Sequence, residues 1–478
     1  MGDRHTDVTF VTARELAKSI RERRISPVEA LEASLSRIDE VDARVNAITW
    51  RNDEEARAAA RRAADAVVQQ GADDLPPFHG VPIPIKDLTE VAGWPVTYGS
   101  NAAPAKPSSE SELIVEALVR AGFILTGRTN TPEFGPITAA ENDRYGITRN
   151  PWDLERTPGG SSGGAGAAVA AGMFTVAHGN DGGGSIRIPA SCCGLVGLKV
   201  SRGRIPTLVH SWEGGAVEGV LTRDVADTAA ILDLTCGPDP GQWYNAPKPE
   251  RPFIEEVGAD PGRLRVGLLD QPPLRLTLDP ECAEAARQAA SALEKLGHSV
   301  EQVTYNVPDE FVESFLNVVN TGLADHNADP DIDWSKAEPH IRANRAAALA
   351  VDSLTYVNSV HRLQRYTREL TSRWGRDFDL LVTPTMTILP PRAGEILEAV
   401  HTGASTGGPA MQVFQMAVLT SGFNMSGQPA ISVPTHTTAA GLPVGVQLVA
   451  GPWDEALLVR VAAQLEAALP WSSRRPPL

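Results

Sequence analysis

The sequence predicts an α/β fold, a single large domain with a central mixed, mostly parallel sheet covered by helices on both faces. Strand-like and helix-like segments alternate between residues 78 and 127, and the alternation resumes between residues 264 and 303. This pattern is typical of sheets whose strands are connected by helices. The length of 478 residues would allow two or three domains, but no segment demands a second core.

Residues 1–75 are expected to form a helical entry that packs on the core, and residues 76–478 are expected to form the α/β domain. Thr12 and Ser26 are predicted to begin helices, because a glutamate three residues after each completes a capping box. A third helix is predicted over residues 52–70, which are rich in alanine and arginine. This entry carries no recognisable chemistry.

The α/β pattern begins with an apolar strand over residues 81–85, which delivers Lys86 into the interior. A helix is predicted over residues 111–121 and the next strand over residues 123–127. Lysine is almost always exposed to solvent. On its own, therefore, Lys86 is more simply interpreted as a surface residue than as a functional one.

The charge balance disfavours some classes of partner. The chain has 43 basic and 59 acidic residues and a formal net charge of −16, which disfavours nucleic acid and anionic membranes. No apolar run reaches the roughly 18 residues of a membrane span, and the polar N-terminal residues do not resemble a signal peptide. A cytoplasmic protein is expected.

The cysteines predict neither disulfides nor a metal site. Their positions show no metal-binding or C-x-x-C spacing, so buried thiols in a reducing compartment are expected. No metal or other cofactor is predicted. The four cysteines are Cys192, Cys193, Cys236 and Cys282.

Two glycine-rich segments carry the strongest functional signal. Residues 159–164 read GGSSGG and residues 182–187 read GGGSIR, with a run of small apolar residues between them. Glycine backbone allows close approach of a substrate, and the successive amides of residues 182–185 can converge as a nest for negative charge. A serine that ends such a nest is well placed as a nucleophile, which favours acyl transfer.

A flexible linker and a phosphate-binding loop are the alternatives. A linker would not flank a run of small residues that resembles a buried helix. A P-loop would end in Gly-Lys-Ser/Thr, and a dinucleotide-binding loop would place G-x-G-x-x-G between a strand and a helix. Neither pattern is present. Residue chemistry alone still leaves the acyl-transfer interpretation open.

The chain resembles the amidase signature family of serine hydrolases, whose hallmarks are a GGSSGG run and a GGSIR run. In that family one serine of each run is catalytic and the two lie 24 positions apart, as Ser161 and Ser185 do. A third family segment, G-V-P-x-x-x-K-D, matches residues 80–87 and contains Lys86. The resemblance extends over nearly the whole chain and implies that Lys86, Ser161 and Ser185 are catalytic.

The resemblance also implies how these residues act. Ser185 attacks the carbonyl carbon, Ser161 follows a cis peptide bond and relays the proton, and a neutral Lys86 receives it. Because the pKa of a free lysine is about 10.4, burial must bring the pKa of Lys86 down to about 7 or 8.

Supporting and binding roles follow for neighbouring residues. Asp181 and Arg187 are expected to pair across the turn and, together with Ser162, to support it. The oxyanion hole is expected to consist of backbone amides, those of Gly182, Gly183, Gly184 and Ser185. The residues after the family's T-N-x-P-E-F segment are candidate walls on the acyl side of the pocket, namely Gly135, Pro136 and Ile137.

Two features concern the substrate. Gly182 stands where many family members have a bulky apolar residue, and this glycine is expected to free the turn and enlarge the cavity beside the oxyanion. Residues 309–376 are mostly helical in pattern and carry several aromatic residues. They correspond to the variable region that shapes the leaving-group side of the pocket.

A cysteine nucleophile is a rival interpretation, because nitrilase-type hydrolases cleave similar bonds with a Glu-Lys-Cys set. Cys193 lies close to the glycine turns but within an apolar run. Inert buried cysteines are far more common than reactive ones, so the serine mechanism is favoured.

Two functions from different classes are expected. The first is a stand-alone amidohydrolase of small or oligomeric amides, anilides, carbamates or esters, acting as a monomer or homodimer on a small-molecule amide. The second is the glutaminase-type subunit of glutaminyl-tRNA amidotransferase. The glutamine-binding aspartate of that subunit aligns with Ala417, which disfavours the second function. A non-catalytic binding protein is disfavoured because all three catalytic positions are intact.

Overall fold

The computed structural model describes residues 8–324, 326, 329–403 and 410–478. Residues 1–7 of the predicted helical entry, and residues 325, 327 and 328 of the predicted variable region, lie outside the described part. Among the described helices, none combines the length and apolar character needed to cross a membrane.

The helices of the described part are α1 (Ala13–Arg21), α2 (Pro27–Val45), α3 (Asp53–Gln69), α4 (Leu113–Arg120), α5 (Gly163–Ala170), α6 (Arg187–Cys193), α7 (Ser211–Gly214), α8 (Val225–Thr235), α9 (Pro280–Lys295), α10 (Asp309–Ala324), α11 (Pro339–Ala350), α12 (Ser353–Thr371), α13 (Glu395–His401), α14 (Met411–Ala417), α15 (Ser421–Ser426) and α16 (Glu455–Ala468). The strands are β1 (Ile48–Arg51), β2 (Pro82–Lys86), β3 (Ile124–Thr129), β4 (Glu141–Asn142), β5 (Gly146–Ile147), β6 (Val176–Asp181), β7 (Val196–Lys199), β8 (Val217–Thr222), β9 (Arg265–Leu268), β10 (Ser299–Gln302), β11 (Leu380–Pro384), β12 (Ala430–Thr437) and β13 (Pro443–Val449).

The first two helices begin at the predicted caps. Thr12 and Ser26 each accept a hydrogen bond from the backbone of the glutamate three residues later, and each glutamate side chain bonds back to the cap residue. The third predicted helix is also present. Between α2 and α3 lies strand β1, which the sequence did not predict and which pairs antiparallel with β3. The division of the chain at residue 75 stays a prediction.

The main sheet has eight strands in the order β10-β9-β11-β13-β12-β7-β8-β6, which confirms a large mixed sheet in an α/β fold. The prediction that its strands are mostly parallel is wrong. Only β10 with β9 and β9 with β11 pair parallel, whereas the five remaining pairings are antiparallel. The helix-strand alternation between residues 264 and 303 does give parallel strands, but the other half of the sheet is built from hairpins and longer crossovers.

The strands predicted near residues 81–85 and 123–127 form a second sheet. Strand β2 pairs parallel with β3, and β1 completes a three-stranded sheet on the other side of β3. Every residue of β2 is buried. Because Lys86 is the last residue of this strand, the strand carries a lysine side chain into the interior, as expected.

Helices cover both faces of the main sheet. Successive side chains of a strand point to opposite faces, and on β8 they enter two different cores. On β8, Val220 packs in a core that also contains residues of α8, α9 and α16. The next residue, Leu221, packs in a core that contains residues of α5 and α6. Helices α5 and α6 follow the two glycine-rich segments, so this second face carries the candidate site.

Candidate active site

The two sheets meet where Lys86 lies against β6. The backbone amide of Lys86 donates to Nδ1 of His178 at 3.4 Å, and Lys86 Nζ donates to Oδ1 of Asn180 at 2.6 Å. Residues 178 and 180 lie on the same face of β6, since alternate residues of a strand point the same way. The lysine is therefore held from the neighbouring sheet at both its backbone and its side chain.

Lys86 and Ser161 are in direct contact. Lys86 Nζ lies 2.7 Å from Oγ of Ser161, and the peptide bond between Gly160 and Ser161 is cis, as the resemblance implies. Lys86 is fully buried, and burial lowers the pKa of its ammonium group to about 7, although the carboxylates of Glu218 and Asp181 oppose this shift. A large fraction of Lys86 is therefore a neutral amine near pH 7.

The turn that ends β6 is held by an ion pair between Asp181 and Arg187. Arg187 donates to both carboxylate oxygens of Asp181, at 2.8 and 2.9 Å, and both side chains are fully buried. Burial alone would raise the pKa of Asp181, but the guanidinium of Arg187 holds it below its ordinary value. The bidentate geometry fixes the orientation of the turn as well as its charge.

Residues from other elements satisfy the remaining donors and acceptors of Asp181 and Arg187. Arg187 also donates to the backbone carbonyl of Thr420 at 3.0 Å and to Oε1 of Gln447 at 2.6 Å. Asn424 on α15 donates to Oδ1 of Asp181 at 2.9 Å and to its carbonyl at 2.8 Å. The turn is thus tied to α15 and to β13, and a fully satisfied buried network of this kind is rigid.

The amides of the turn do not all remain available for an oxyanion. Gly184 differs from the expectation, because its N–H donates to Oδ1 of Asp181 at 2.8 Å. In the described part of the chain, no acceptor bonds to the amides of Gly182, Gly183 or Ser185. These three amides therefore remain as candidate donors.

The two glycine-rich segments are joined by a backbone hydrogen bond between Ser162 and Ser185. The N–H of Ser162 donates to the carbonyl of Ser185 at 3.2 Å, and Ser162 Oγ donates to the carbonyl of Asn180 at 3.1 Å. Ser161 and Ser185 border the same cavity. The expected hydrogen bond between their hydroxyls is absent from the described contacts, and such bonds often tighten only when a substrate is bound.

A polar cavity of about 240 Å³ opens over Ser161 and Ser185. Its walls include three carboxylates, which belong to Glu90, Glu112 and Glu218. Glu218 bonds to Nε2 of the buried His178 at 2.8 Å. The side of the site that adjoins Lys86 is therefore acidic.

An apolar cavity of about 150 Å³ also reaches Ser185. Gly135 and Pro136 border both cavities, and Ile137 borders the apolar one, so the three predicted wall residues do lie at the site. The remaining apolar walls come mainly from α10, within the predicted variable region, and from α14. Their side chains include Phe311, Val312, Phe315, Leu316, Val413 and Phe414.

The third glycine of the turn does not enlarge the cavity, contrary to the expectation. A Cβ atom on Gly182 would lie 2.6 Å from Cε3 of Trp212, so the indole ring occupies the space. A Cβ atom on Gly322 would lie 2.5 Å from the opposite edge of the ring, at Cδ1 and Nε1. The ring of Trp212 is thus held between two glycines, and it borders both cavities.

The cysteines near the turn do not border either cavity. Cys192 and Cys193 are fully buried, and burial raises the pKa of both thiols above the ordinary value. A thiol that stays protonated is a poor nucleophile, which argues against the nitrilase-like interpretation.

The sequence analysis missed several residues of the site. Asn180 could have been found, because it precedes the predicted turn at the end of an apolar strand. Trp212, Glu218 and Asn344 carry no motif, and only the folded chain brings them to the cavities.

Substitution of Gly182 by alanine should displace the ring of Trp212. The added methyl group cannot coexist with the indole, and overpacking of this kind costs about 1–3 kcal/mol of folding stability. We expect the Gly182→Ala variant to have a lower melting temperature and a shifted Trp212 ring in its crystal structure.

The adjacent Gly183→Ala variant is the matched control, because its Cβ would lie 3.6 Å from the ring of Phe315 and meets no closer atom. Removal of the indole in Trp212→Ala should abolish most of the effect of Gly182→Ala. An equal loss of stability for Gly182→Ala with and without Trp212 would contradict the steric explanation.

Comparison with known proteins identifies the family. The Amidase family matches residues 29–459. A 6-aminohexanoate-cyclic-dimer hydrolase of Pseudomonas sp. (strain NK87) is 39% identical, over 97% of this chain and 95% of the relative. An acylamidase of Rhodococcus erythropolis is 35% identical, over 98% of this chain and 97% of the relative.

The fold agrees with a solved structure of this group. The structure of 6-aminohexanoate cyclic dimer hydrolase complexed with substrate has a TM-score of 0.90 and 37% identity, and covers 98% of this chain and 99% of that chain. Together with the family match across most of the chain, these similarities show that this chain belongs to the amidase signature family and is a hydrolase of amide carbon–nitrogen bonds.

Proposed function

We propose that the chain acts alone as a serine amidohydrolase that cleaves small or oligomeric uncharged amides through an acyl-enzyme. Aryl and alkyl amides and anilides are the expected substrates, with carbamates (urethanes) and esters as further candidates. The observation that supports this proposal most is the contact of 2.7 Å between the buried Lys86 and Ser161, beside a cavity that Ser185 also borders.

Proton transfer would run from Ser185 through Ser161 to Lys86. A neutral Lys86 can donate one hydrogen to Asn180 Oδ1 and accept the proton of Ser161, because a neutral amine has a free lone pair. Ser161 in turn accepts the proton of Ser185 as the Ser185 oxygen attacks the substrate. Three residues thus activate a hydroxyl without a histidine.

The covalent steps then balance. Attack forms a bond between Ser185 Oγ and the carbonyl carbon, and the resulting oxyanion faces the amides of Gly182, Gly183 and Ser185. Collapse of this intermediate breaks the carbon–nitrogen bond, and the Lys86 ammonium returns its proton through Ser161 to the departing nitrogen. Water then attacks the ester by the same proton route and releases the acid.

The walls of the cavities support an uncharged substrate. Within the described part of the chain, no lysine or arginine borders either cavity. A carboxylate in the polar cavity would instead face Glu90, Glu112 and Glu218, and an unpaired buried charge is costly. The apolar cavity suits an aryl or alkyl group. The cyclic dimer of 6-aminohexanoate named in the relatives is one further amide to test.

The same walls disfavour the amidotransferase subunit. Glutamine carries an α-ammonium and an α-carboxylate, and a selective site must pair both charges. Ala417 borders the apolar cavity at the position that we align with the glutamine-binding aspartate of that subunit. Among the described residues, no charged side chain lines the apolar cavity to pair with either charge of glutamine.

Replacement of Ser185 by alanine should reduce kcat at least about a thousandfold, since only the nucleophilic oxygen is lost. The melting temperature should change little. Cys193→Ala is the control and should retain activity. Retention of more than a few per cent of activity by Ser185→Ala, together with loss in Cys193→Ala, would favour the cysteine mechanism.

Replacement of Lys86 by alanine should lower kcat/KM by several orders of magnitude, because the general base is lost. In the unmodified protein, kcat/KM should rise with pH through about 7, since Lys86 is protonated and inactive below that value and neutral above it. The measurement is a pH profile between pH 5 and 10.

Lys199 provides a matched control for this profile. It is also fully buried, and burial lowers its pKa to about 7, but it donates to the carbonyl of Val200 and borders neither cavity. The Lys199→Met variant should keep the pH dependence. A flat profile in the unmodified protein, or loss of the inflection only in Lys199→Met, would contradict the assignment to Lys86.

A chromogenic anilide should be hydrolysed by the purified chain alone, with a larger kcat/KM than glutamine under the same conditions. An anilide that carries a carboxylate should react at least about tenfold more slowly than its methyl ester, because no lysine or arginine among the described residues lines either cavity. A larger kcat/KM for glutamine, or activity only after addition of another subunit, would rule out the stand-alone function.

A further inference from the structure

Glu338, His340 and His401 form a cluster outside the active site. Glu338 precedes α11, His340 is the second residue of that helix, and His401 is the last residue of α13. One ligand atom of each residue lies within 4.8 Å of the other two. The cluster therefore joins two helices that are 45 or more residues apart in the chain.

The distances within the cluster suit a small divalent ion. Oε2 of Glu338 lies 3.1 Å from Nε2 of His401 and 3.5 Å from Nδ1 of His340. Tetrahedral zinc ligands that each lie about 2.0–2.1 Å from the ion are roughly 3.4 Å apart. Both separations are thus close to those of two ligands that share a zinc ion.

His340 lacks a hydrogen-bond partner in the described part of the chain. Its side chain is only 7% exposed, yet neither ring nitrogen forms a hydrogen bond, although Nδ1 lies 3.5 Å from Glu338. An unsatisfied buried polar group destabilises the fold, and such groups are rare in folded proteins. A buried imidazole without a hydrogen bond, beside a carboxylate and a second imidazole, is a candidate metal ligand.

Glu338 is oriented towards the two histidines. Its other oxygen, Oε1, accepts a hydrogen bond from the backbone N–H of Asp143 at 2.7 Å, which leaves Oε2 for the cluster. A bond of this kind to a ligating carboxylate is typical of metal sites. Among the described residues, the ion pairs of Glu338 involve histidine alone, so no lysine or arginine neutralises it.

We propose that Glu338, His340 and His401 bind one zinc ion, with water as the fourth ligand. Two imidazoles and a carboxylate are ligands that zinc accepts readily. The sequence analysis predicted no metal site, because 61 positions separate the two histidines and no short motif contains all three residues.

The ion would act on the shape of the cavity and not on the reaction itself. Asn344 lies one turn after His340 on α11 and borders both cavities. The backbone N–H of Glu338 donates to Oε2 of Glu133 at 2.7 Å, and the next residue, Phe134, borders the polar cavity. Zinc would thus fix α11 and the segment of Gly135 against α13.

The test uses the full chain, first freed of metal with a chelator and then titrated with zinc chloride. We expect about one zinc ion per chain by elemental analysis, a zinc-dependent rise in melting temperature, and visible absorption of tetrahedral cobalt when Co²⁺ replaces zinc. None of these readouts depends on the proposed function.

The variants His401→Ala and Glu338→Gln should each weaken zinc binding at least about a hundredfold, since loss of a supporting hydrogen bond alone costs about 10–100-fold. His436→Ala is the matched control, because His436 also pairs with a glutamate, Glu281, at 2.7 Å, but belongs to no such cluster. It should bind zinc normally. His340→Gln provides a second test of the cluster if another variant fails to fold.

Two outcomes would overturn the proposal. One is an unmodified chain that binds less than about 0.1 zinc ion and shows neither a thermal shift nor a cobalt spectrum. The other is zinc binding that survives in both His401→Ala and Glu338→Gln, which would place the ion elsewhere.

Discussion

The site depends on one buried ion pair, that of Asp181 with Arg187. A buried charge without a partner would be prohibitively costly, and here every oxygen of the carboxylate accepts hydrogen bonds from the turn, from Arg187 or from Asn424. The same interactions join the end of β6 to the start of α6. The position of Ser185, between these two elements, is therefore a consequence of charge neutralisation deep in the core.

Lys86 differs from Arg187 in having no ion pair with a carboxylate in the described part of the chain. Its contacts are the neutral oxygens of Ser161 and Asn180, so burial favours the neutral amine. Arg187 donates to both carboxylate oxygens of Asp181, whereas Lys86 has no such partner and its pKa is lowered to about 7. The two buried basic side chains thus differ in their surroundings, since only Arg187 is paired with a carboxylate.

The sequence could predict those parts of the fold and the site that depend on local patterns. The sequence predicts the caps at Thr12 and Ser26, the buried strand that ends at Lys86 and the glycine turn, since each is encoded by adjacent residues. It does not predict strand direction, because the pairing of β12 with β7 and β13 depends on contacts between distant segments. The same holds for Trp212, whose ring lies between glycines that are 140 positions apart.

The shared position of Trp212 restricts how substrate preference can change. Its ring borders both the polar and the apolar cavity, and the two glycines leave no room for a side chain at two opposite edges of the ring. A larger residue at position 182 or 322 would displace the ring of Trp212 and alter both cavities at once. A change of preference for one half of the substrate alone should therefore arise from substitution of a residue that lines only one cavity, such as Phe414 in the apolar cavity or Glu112 in the polar cavity.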